Sequence, residues 1–191
     1  MRVIGGKYRS RLLEAPRGMK TRPTSDRLRE TLFNVLAPRI ERALFVDLYA
    51  GSGAVGIEAL SRGAEHVWLV ENAPAAVKAI RENLASLKIA SACRVEERSA
   101  GSALEGMIKR RERASLIFLD PPYESLDEYE RTLALLGSVR GVGLLTEDAR
   151  VVAEHRAKDD LAEMYGALER VRVLKQGDAA LSFYAVKPSD G

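Results

Sequence analysis

Two short stretches of the chain put reactive groups at the ends of apolar runs. Asp120-Pro121-Pro122-Tyr123 follows Leu116-Ile117-Phe118-Leu119, so an acid, a rigid turn and an aromatic ring stand together where a buried strand would end. That is a place to hold a flat ring bearing an amino group. Such an amine is a poor nucleophile because its lone pair is delocalised into the ring. The Asp120 carboxylate and the Pro121 carbonyl can accept its two N–H bonds and draw the lone pair out of conjugation, with Tyr123 stacked on the ring. Pro121 and Pro122 suit the turn, because proline fixes φ and offers no competing N–H donor. The second stretch is Phe45-Val46-Asp47-Leu48-Tyr49-Ala50-Gly51-Ser52-Gly53-Ala54-Val55-Gly56, an apolar strand running into a glycine-rich turn and a helix. Its G-x-G-x-x-G pattern, with Glu71 at the end of the next apolar run, is compatible with a dinucleotide site. Asp47 argues otherwise. A carboxylate just before the glycines is poorly placed for a pyrophosphate, which is anionic and prefers a bare helix N-terminus. It suits a cationic ligand. One strand end is therefore expected to hold a cofactor and the other to present an acceptor.

These groups need elements to position them. From residue 43 the pattern alternates between predicted strands at 44–48, 66–71, 92–97, 115–119 and 150–155 and predicted helices at 54–62, 74–88, 101–111 and 126–137. Alternating units of this kind build a doubly wound parallel sheet. Two β-rich runs close the chain, 168–174 and 179–186, joined by Lys175-Gln176-Gly177-Asp178 as an antiparallel hairpin at the sheet edge. The expected class is α/β, Rossmann-like, with a seven-stranded, mostly parallel sheet. Residues 138–149 carry no clear pattern. Upstream, Arg2-Val3-Ile4 and Tyr8 to Leu13 flank Gly5-Gly6-Lys7 and predict a basic β-hairpin. Thr24 or Ser25 is then an N-cap for a helix to about residue 40, with Leu28, Leu32, Val35 and Leu36 on one face and Arg27, Arg29, Glu30 and Asn34 elsewhere. The chain thus reads as an extension, residues 1–42, on a main domain, residues 43–188.

Composition narrows the function classes. At 191 residues, 46% hydrophobic and 30% charged, the chain can bury a core, and no apolar run approaches the ~18 residues of a membrane span. With no secretory signal in view, a cytoplasmic location is expected. The single cysteine, Cys93, has no partner for an internal disulfide and reads as a structural thiol. His66 and His155 form no familiar ligand spacing, so no metal is expected. Charge is unevenly spread: 30 Lys and Arg against 27 Asp and Glu give +3 overall, but residues 1–42 alone carry +7, which leaves −4 for the rest. A polyanion is the natural partner of that segment, met first by Lys7, Arg9 and Arg11 of the hairpin.

The run D-x-x-x-G-x-G at a first strand end resembles the first motif of class I methyltransferases. That resemblance implies S-adenosyl-L-methionine as cofactor, a ligand carrying an ammonium and a sulfonium. Its site would be lined by Asp47, Tyr49, Ala50, Gly51, Ser52 and Gly53, with Glu71, next to Asn72, on the ribose hydroxyls. The family usually has Asp or Asn after its third strand to meet the adenine; this chain has Arg98-Ser99-Ala100, which leaves the Ser99 hydroxyl as the candidate. Asp-Pro-Pro-Tyr likewise resembles the fourth motif of amino-directed methyltransferases, which act on adenine N6, cytosine N4, guanine N2 or a glutamine amide. The motif gives the reaction class and not the base, and a base would have to be unpaired or flipped out to reach it.

Finally, Arg22-Pro23-Thr24-Ser25-Asp26-Arg27-Leu28-Arg29-Glu30-Thr31-Leu32-Phe33-Asn34 resembles the R-P-T-x-D-x-x-[RK]-E-x-[LI]-F-[ND] signature of the RsmD family, 16S rRNA guanine-N2 methyltransferases. Ile4 to Leu12 and Gly177 to Tyr184 are similar to that family's opening and closing segments, so the resemblance spans nearly the whole chain. It implies methylation of a guanine N2 in 16S rRNA of an assembled or assembling small ribosomal subunit. It also implies that Arg22, Thr24, Asp26 and Arg29 border the active site; from their charge and neighbourhood, Arg22 and Arg29 are expected to contact RNA or to order the acceptor loop. A monomer is expected, since no heptad pattern is present. Other readings stay open at this point: an adenine-N6 methyltransferase, a non-catalytic RNA-binding assembly factor, and a nicotinamide oxidoreductase that would leave Asp47 without a role.

Overall fold

A computed structural model describes residues 1–16, 25–122 and 125–187. They fall into two units, Met1–Ser99 and Ala100–Gly191. In the first, α1 (Asp26–Ile40) is followed by β1 (Leu44–Asp47), α2 (Ala54–Ser61), β2 (His66–Val70), α3 (Pro74–Leu87) and β3 (Cys93–Glu96). The strands lie in the order β3-β2-β1 and are parallel. Asp47 pairs with Leu69 and Val70 with Glu96, so the carboxyl ends of the three strands finish close together. Ligands of open parallel sheets bind at that edge. Phe45, Val46, Val67 and Leu69 are fully buried, as continuous apolar runs in a sheet covered on both faces should be. α2 is buried along its whole length. α3 opens on Pro74 and ends where Lys88 turns left-handed.

The second unit contains α4 (Ala100–Lys109), β4 (Ala114–Leu119), α5 (Leu126–Gly137), α6 (Val139–Val142), β5 (Leu145–Arg156), β6 (Met164–Tyr165), β7 (Leu168–Gln176) and β8 (Ala179–Val186). β4 and β5 are parallel, and β5, β8, β7 and β6 then follow one another antiparallel. Buried hydroxyls are tied to backbone: Tyr129 donates to the Glu154 carbonyl (2.7 Å) and Tyr184 to the Ala162 carbonyl (2.9 Å). At Gly137 a Cβ would lie 1.6 Å from the Tyr165 carbonyl oxygen, so the end of α5 meets β6 backbone to backbone.

The predicted elements recur within a few residues of their expected bounds, with three differences. The expected seven strands become eight among the described residues, the addition being the two-residue β6. β5 begins at Leu145 and takes up part of the unassigned stretch, with α6 before it. The N-terminal hairpin has one regular bridge, Arg2 with Leu12, supported by Val3 N–H to the Arg11 carbonyl, Ser10 N–H to the Val3 carbonyl and Leu13 N–H to the Met1 carbonyl. Its ladder stops because the chain turns aside onto α2. A Cβ on Gly6 (φ +76°) would fall 1.9 Å from the Ser61 carbonyl oxygen, and the Lys7 N–H donates to that same carbonyl (2.7 Å). No helix among the described residues is long and apolar enough to cross a membrane.

Candidate active site

The glycine loop sits at the carboxyl end of β1. Ala50 N–H bonds the Val70 carbonyl (3.0 Å) and Gly53 N–H closes the turn on Ala50 (2.7 Å). Gly51 (φ 55°) and Gly53 (φ 80°) are both left-handed, which side chains with a Cβ rarely adopt. A Cβ on Gly51 would meet nothing within 4 Å, so a ligand can come up against the backbone there. Gly56 has a different duty. A Cβ on it would stand 2.4 Å from Leu69 and 2.8 Å from Val67, so it permits α2 to pack closely on β2.

Two acids hold this loop. Asp47 is 1% exposed and its Oδ2 accepts the Gly56 N–H (3.2 Å). Gly53, the N-cap of α2, has no side chain to cap with, and Asp47 reaches across from the strand to meet the third helical N–H. Where the sequence suggested a carboxylate facing a cationic ligand, the side chain lies beneath the loop, with negative charge at the positive end of α2. Glu71 is half-buried: Oε2 accepts from Gly51 N–H (2.9 Å), and Oε1 from Asn72 (2.8 Å) and Ala73 (2.9 Å). It ties the first glycine to the start of α3. A carboxylate has about four acceptor positions, so Oε2 keeps capacity for a ribose hydroxyl.

The remaining cofactor candidates divide. Tyr49 is half-buried, Ala50 is buried and Asn72 is exposed beside Glu71. Ser52 is buried and its hydroxyl donates to the Met1 sulfur (3.1 Å), so this side chain turns into the protein. Ser99 is exposed, immediately before α4. At the end of β3 the sequence reading overlooked Glu96, buried, with Oε1 on Arg94 Nε and Oε2 on Arg98 Nε, both at 2.8 Å. Arg94 also lies over the Trp68 ring, 4.4 Å from its centroid.

The acceptor candidates belong to the second unit. Leu116, Ile117, Phe118 and Leu119 are buried in β4, and the chain emerges at a half-buried Asp120, a buried Pro121 and an exposed Pro122. The Pro122 carbonyl accepts the Ser125 N–H (2.8 Å), which closes the turn before α5. Tyr123 lies outside the described residues, as do Arg22 and Thr24.

In the N-terminal segment Lys7, Arg9 and Arg11 are exposed, and Arg11 reaches the Ser86 carbonyl at 3.5 Å. Arg29 requires a correction. Expected to contact RNA or to order the acceptor loop, it is 1% exposed, with Nη2 donating to the Arg2 carbonyl (2.7 Å) and to Asp26 (2.9 Å). Burial pulls its pKa down, while the carboxylates of Glu58 and Asp26 pull it back up. It is a strut between α1 and the chain's first residues. Two further anchors were missed. Glu58, in the middle of α2 and fully buried, accepts from Ile4 N–H (2.7 Å), Gly5 N–H (2.8 Å) and Arg62 Nε (2.7 Å). Asn83, buried on α3, accepts from Glu14 N–H (2.7 Å) and donates to the carbonyls of Glu14 and Ser52, both at 3.0 Å. The available signal was a polar residue inside an apolar stripe: Glu58 within Ala54 to Leu60, and Asn83 between Ile80, Leu84 and Leu87.

Cys93 is half-buried and its thiol is pushed up to about 12 by burial, which keeps it protonated and unreactive at neutral pH. His155, buried in β5, contacts the Arg156 carbonyl through Nδ1 (2.9 Å) and the Ser182 hydroxyl through Nε2 (2.8 Å). Both ring nitrogens thus have protein partners.

A family model described as Conserved hypothetical protein 95 matches residues 1–185. Bacillus subtilis (strain 168) YlbH is 38% identical over 184 residues, 96% of this chain and 98% of that one. Ribosomal RNA small subunit methyltransferase D of Escherichia coli (strain K12) is 38% identical over 161 residues, 84% of this chain and 77% of the relative. Among solved structures, Escherichia coli yhhF has a TM-score of 0.81 at 35% identity, covering 99% of both chains. The Thermus thermophilus protein TTHA0928 has a TM-score of 0.82 at 31% identity, covering 97% of this chain and 99% of that one.

Proposed function

The chain belongs to the RsmD family, that of the matched model, and has its class I methyltransferase fold; from this premise we propose that it transfers a methyl group from S-adenosyl-L-methionine to the exocyclic N2 of a guanine in 16S rRNA. The carrying observation is the Asp120-Pro121-Pro122 turn at the end of a buried parallel strand, in a chain whose glycine loop is held by two acids. The relative in Escherichia coli is named a ribosomal RNA small subunit methyltransferase, which supports rRNA as the substrate class.

The loop fits the cofactor on three counts: open space over Gly51, left-handed backbone at two glycines, and acceptor capacity on Glu71. When bound, the cofactor supplies an electrophilic methyl group on a sulfonium. Glu71 orients the ribose, and Asp47 contributes its charge from beneath the loop. On the acceptor side Asp120 and the Pro121 carbonyl accept the two N–H bonds of the guanine amine, which turns its lone pair toward the methyl carbon. As the N–C bond forms and the methyl–sulfur bond breaks, positive charge grows on nitrogen; the Asp120 carboxylate stabilises it, one amine proton passes to water, and S-adenosylhomocysteine is left as the other product. Tyr123, by its place in the sequence, supplies the stacking surface for the base. Residues 1–42, with Lys7, Arg9, Arg11, Arg22 and Thr24, serve as the RNA-binding extension of the catalytic domain 43–188. The enzyme works as a cytoplasmic monomer on assembled or assembling small subunits.

The test is transfer of labelled methyl to undermethylated small subunits, naked 16S RNA and duplex DNA, followed by mass spectrometry of the nucleosides. N2-methylguanosine from the RNA samples is expected, and N6-methyladenine from DNA would overturn the reading. In the same assay Asp120→Ala should abolish transfer while its affinity for S-adenosylhomocysteine stays near wild type.

A further inference from the structure

Between the N-terminal turn and the first turn of α1 lies a cleft of about 380 Å³, walled by Arg2, Arg9 and Ser10 on one side and Asp26, Arg27 and Glu30 on the other. Three of these residues are arginines. Two carboxylates would ordinarily offset most of that charge, but one is already engaged: Asp26 accepts from the buried Arg29 at 2.9 Å and stands 3.8 Å from Arg2 Nε. The lining itself carries three cations and two anions, a balance of +1, and the buried Arg29 beneath the wall is shared between the carboxylates of Asp26 and Glu58. Arg9 and Arg27 are exposed, and the Arg2 side chain is 66% exposed. Ser10, next to Arg9 in the turn, is left-handed (φ 66°).

We infer that this cleft binds a phosphodiester of the RNA substrate, gripped by Arg2, Arg9 and Arg27, and so adds Arg2 and Arg27 to the basic residues of the extension as backbone-positioning contacts. The inference rests on the rRNA reading proposed above. The chemistry favours phosphate over a base: planar guanidinium forks match phosphate oxygens, whereas the lining, mostly polar apart from Val3 and Ile4, carries no aromatic ring to stack on. Such a contact fixes register without reading sequence.

The test uses the full chain and the double variant Arg2→Ala/Arg27→Ala. Arg29 is anchored by the Arg2 carbonyl and by Asp26, which both remain, so the fold is retained; an unchanged thermal midpoint verifies this, and Arg27→Glu alone provides a second variant on the exposed face of α1. Binding to 16S RNA is titrated against salt. The double variant should bind more weakly, with the slope of log affinity against log salt shallower by about one to two, and with S-adenosylhomocysteine affinity unchanged. Arg27→Glu should weaken RNA binding in the same direction. Wild-type slope and affinity in both variants would overturn the cleft assignment while leaving the function standing. If inorganic phosphate stabilises the wild type and not the variant, yet RNA binding is the same in both, the cleft is a free-anion site and the inference fails. A wild type that binds no RNA would overturn both this inference and the proposed function.

Discussion

Glu71 holds three backbone N–H groups on two oxygens, so its carboxylate is fixed before any ligand arrives. Preorganisation of this kind makes the residue matter to affinity more than an exposed acid would. Glu71→Ala is expected to weaken S-adenosylhomocysteine binding by about 1–3 kcal/mol, the range for losing a charge-assisted hydrogen bond. Titration calorimetry on the folded variant would show it, and unchanged affinity would move the ribose contact elsewhere. At this scale the places of the glycines and the two acids were legible because few alternatives give a strand, a left-handed turn and a helix in so short a span, but the direction of Asp47, beneath the loop on the Gly56 N–H, was not. Arg29 was not. Its charge pointed to solvent, and nothing local in the sequence announces that the Arg2 carbonyl, twenty-seven residues away, completes its burial.

Among elements, α2 is the one that joins the two ends of the first unit's chemistry. It starts at the glycine loop, and its far end receives the N-terminal segment through Glu58 and Ser61, with the Ser61 hydroxyl donating to the Gly5 carbonyl at 2.6 Å and accepting from Tyr8 N–H at 2.9 Å. Removing the Glu58 carboxylate leaves two backbone donors and Arg62 without their acceptor. Glu58→Ala should therefore cost about 3 kcal/mol in urea unfolding, as breaking a buried pair does, and should expose residues 1–16 to proteolysis ahead of the rest. A loss under ~0.5 kcal/mol, with the segment still protected, would show that Ser61 and Asn83 suffice. This docking explains the irregular hairpin. Gly5-Gly6 looked like a hairpin turn because glycine favours turns, whereas at Gly6 it serves a close approach to Ser61. The first part of β5 is not legible for another reason: Glu147 and Asp148 are residue types depleted in strands.

For the molecule as a whole, the buried His155 between β5 and β8 links stability to acidity. Burial lowers its pKa below the ordinary 6.5, the Arg156 carbonyl and Asp159 opposing that shift only in part. In this window the unfolded chain binds the proton more readily than the folded one, so stability rises with pH through the interval from the folded value up to 6.5 and is lost as the pH falls through it. Denaturation midpoints of the wild type should fall on acidification below that point, and His155→Gln should flatten this part of the profile; parallel profiles would remove His155 as the cause. Across the chain, element types were legible where short continuous apolar runs alternated with stretches of period 3.6, and the short β6 was beyond reach because two residues, Met164 and Tyr165, are too few to show a strand pattern. One consequence concerns engineering. Asn83 grips Glu14 by both its N–H and its carbonyl while donating to Ser52, so the leading segment is not a detachable module. A graft that exchanged residues 1–16 between homologues would have to carry Glu58, Ser61 and Asn83 with it, or the recipient's glycine loop would be disturbed by the incoming segment.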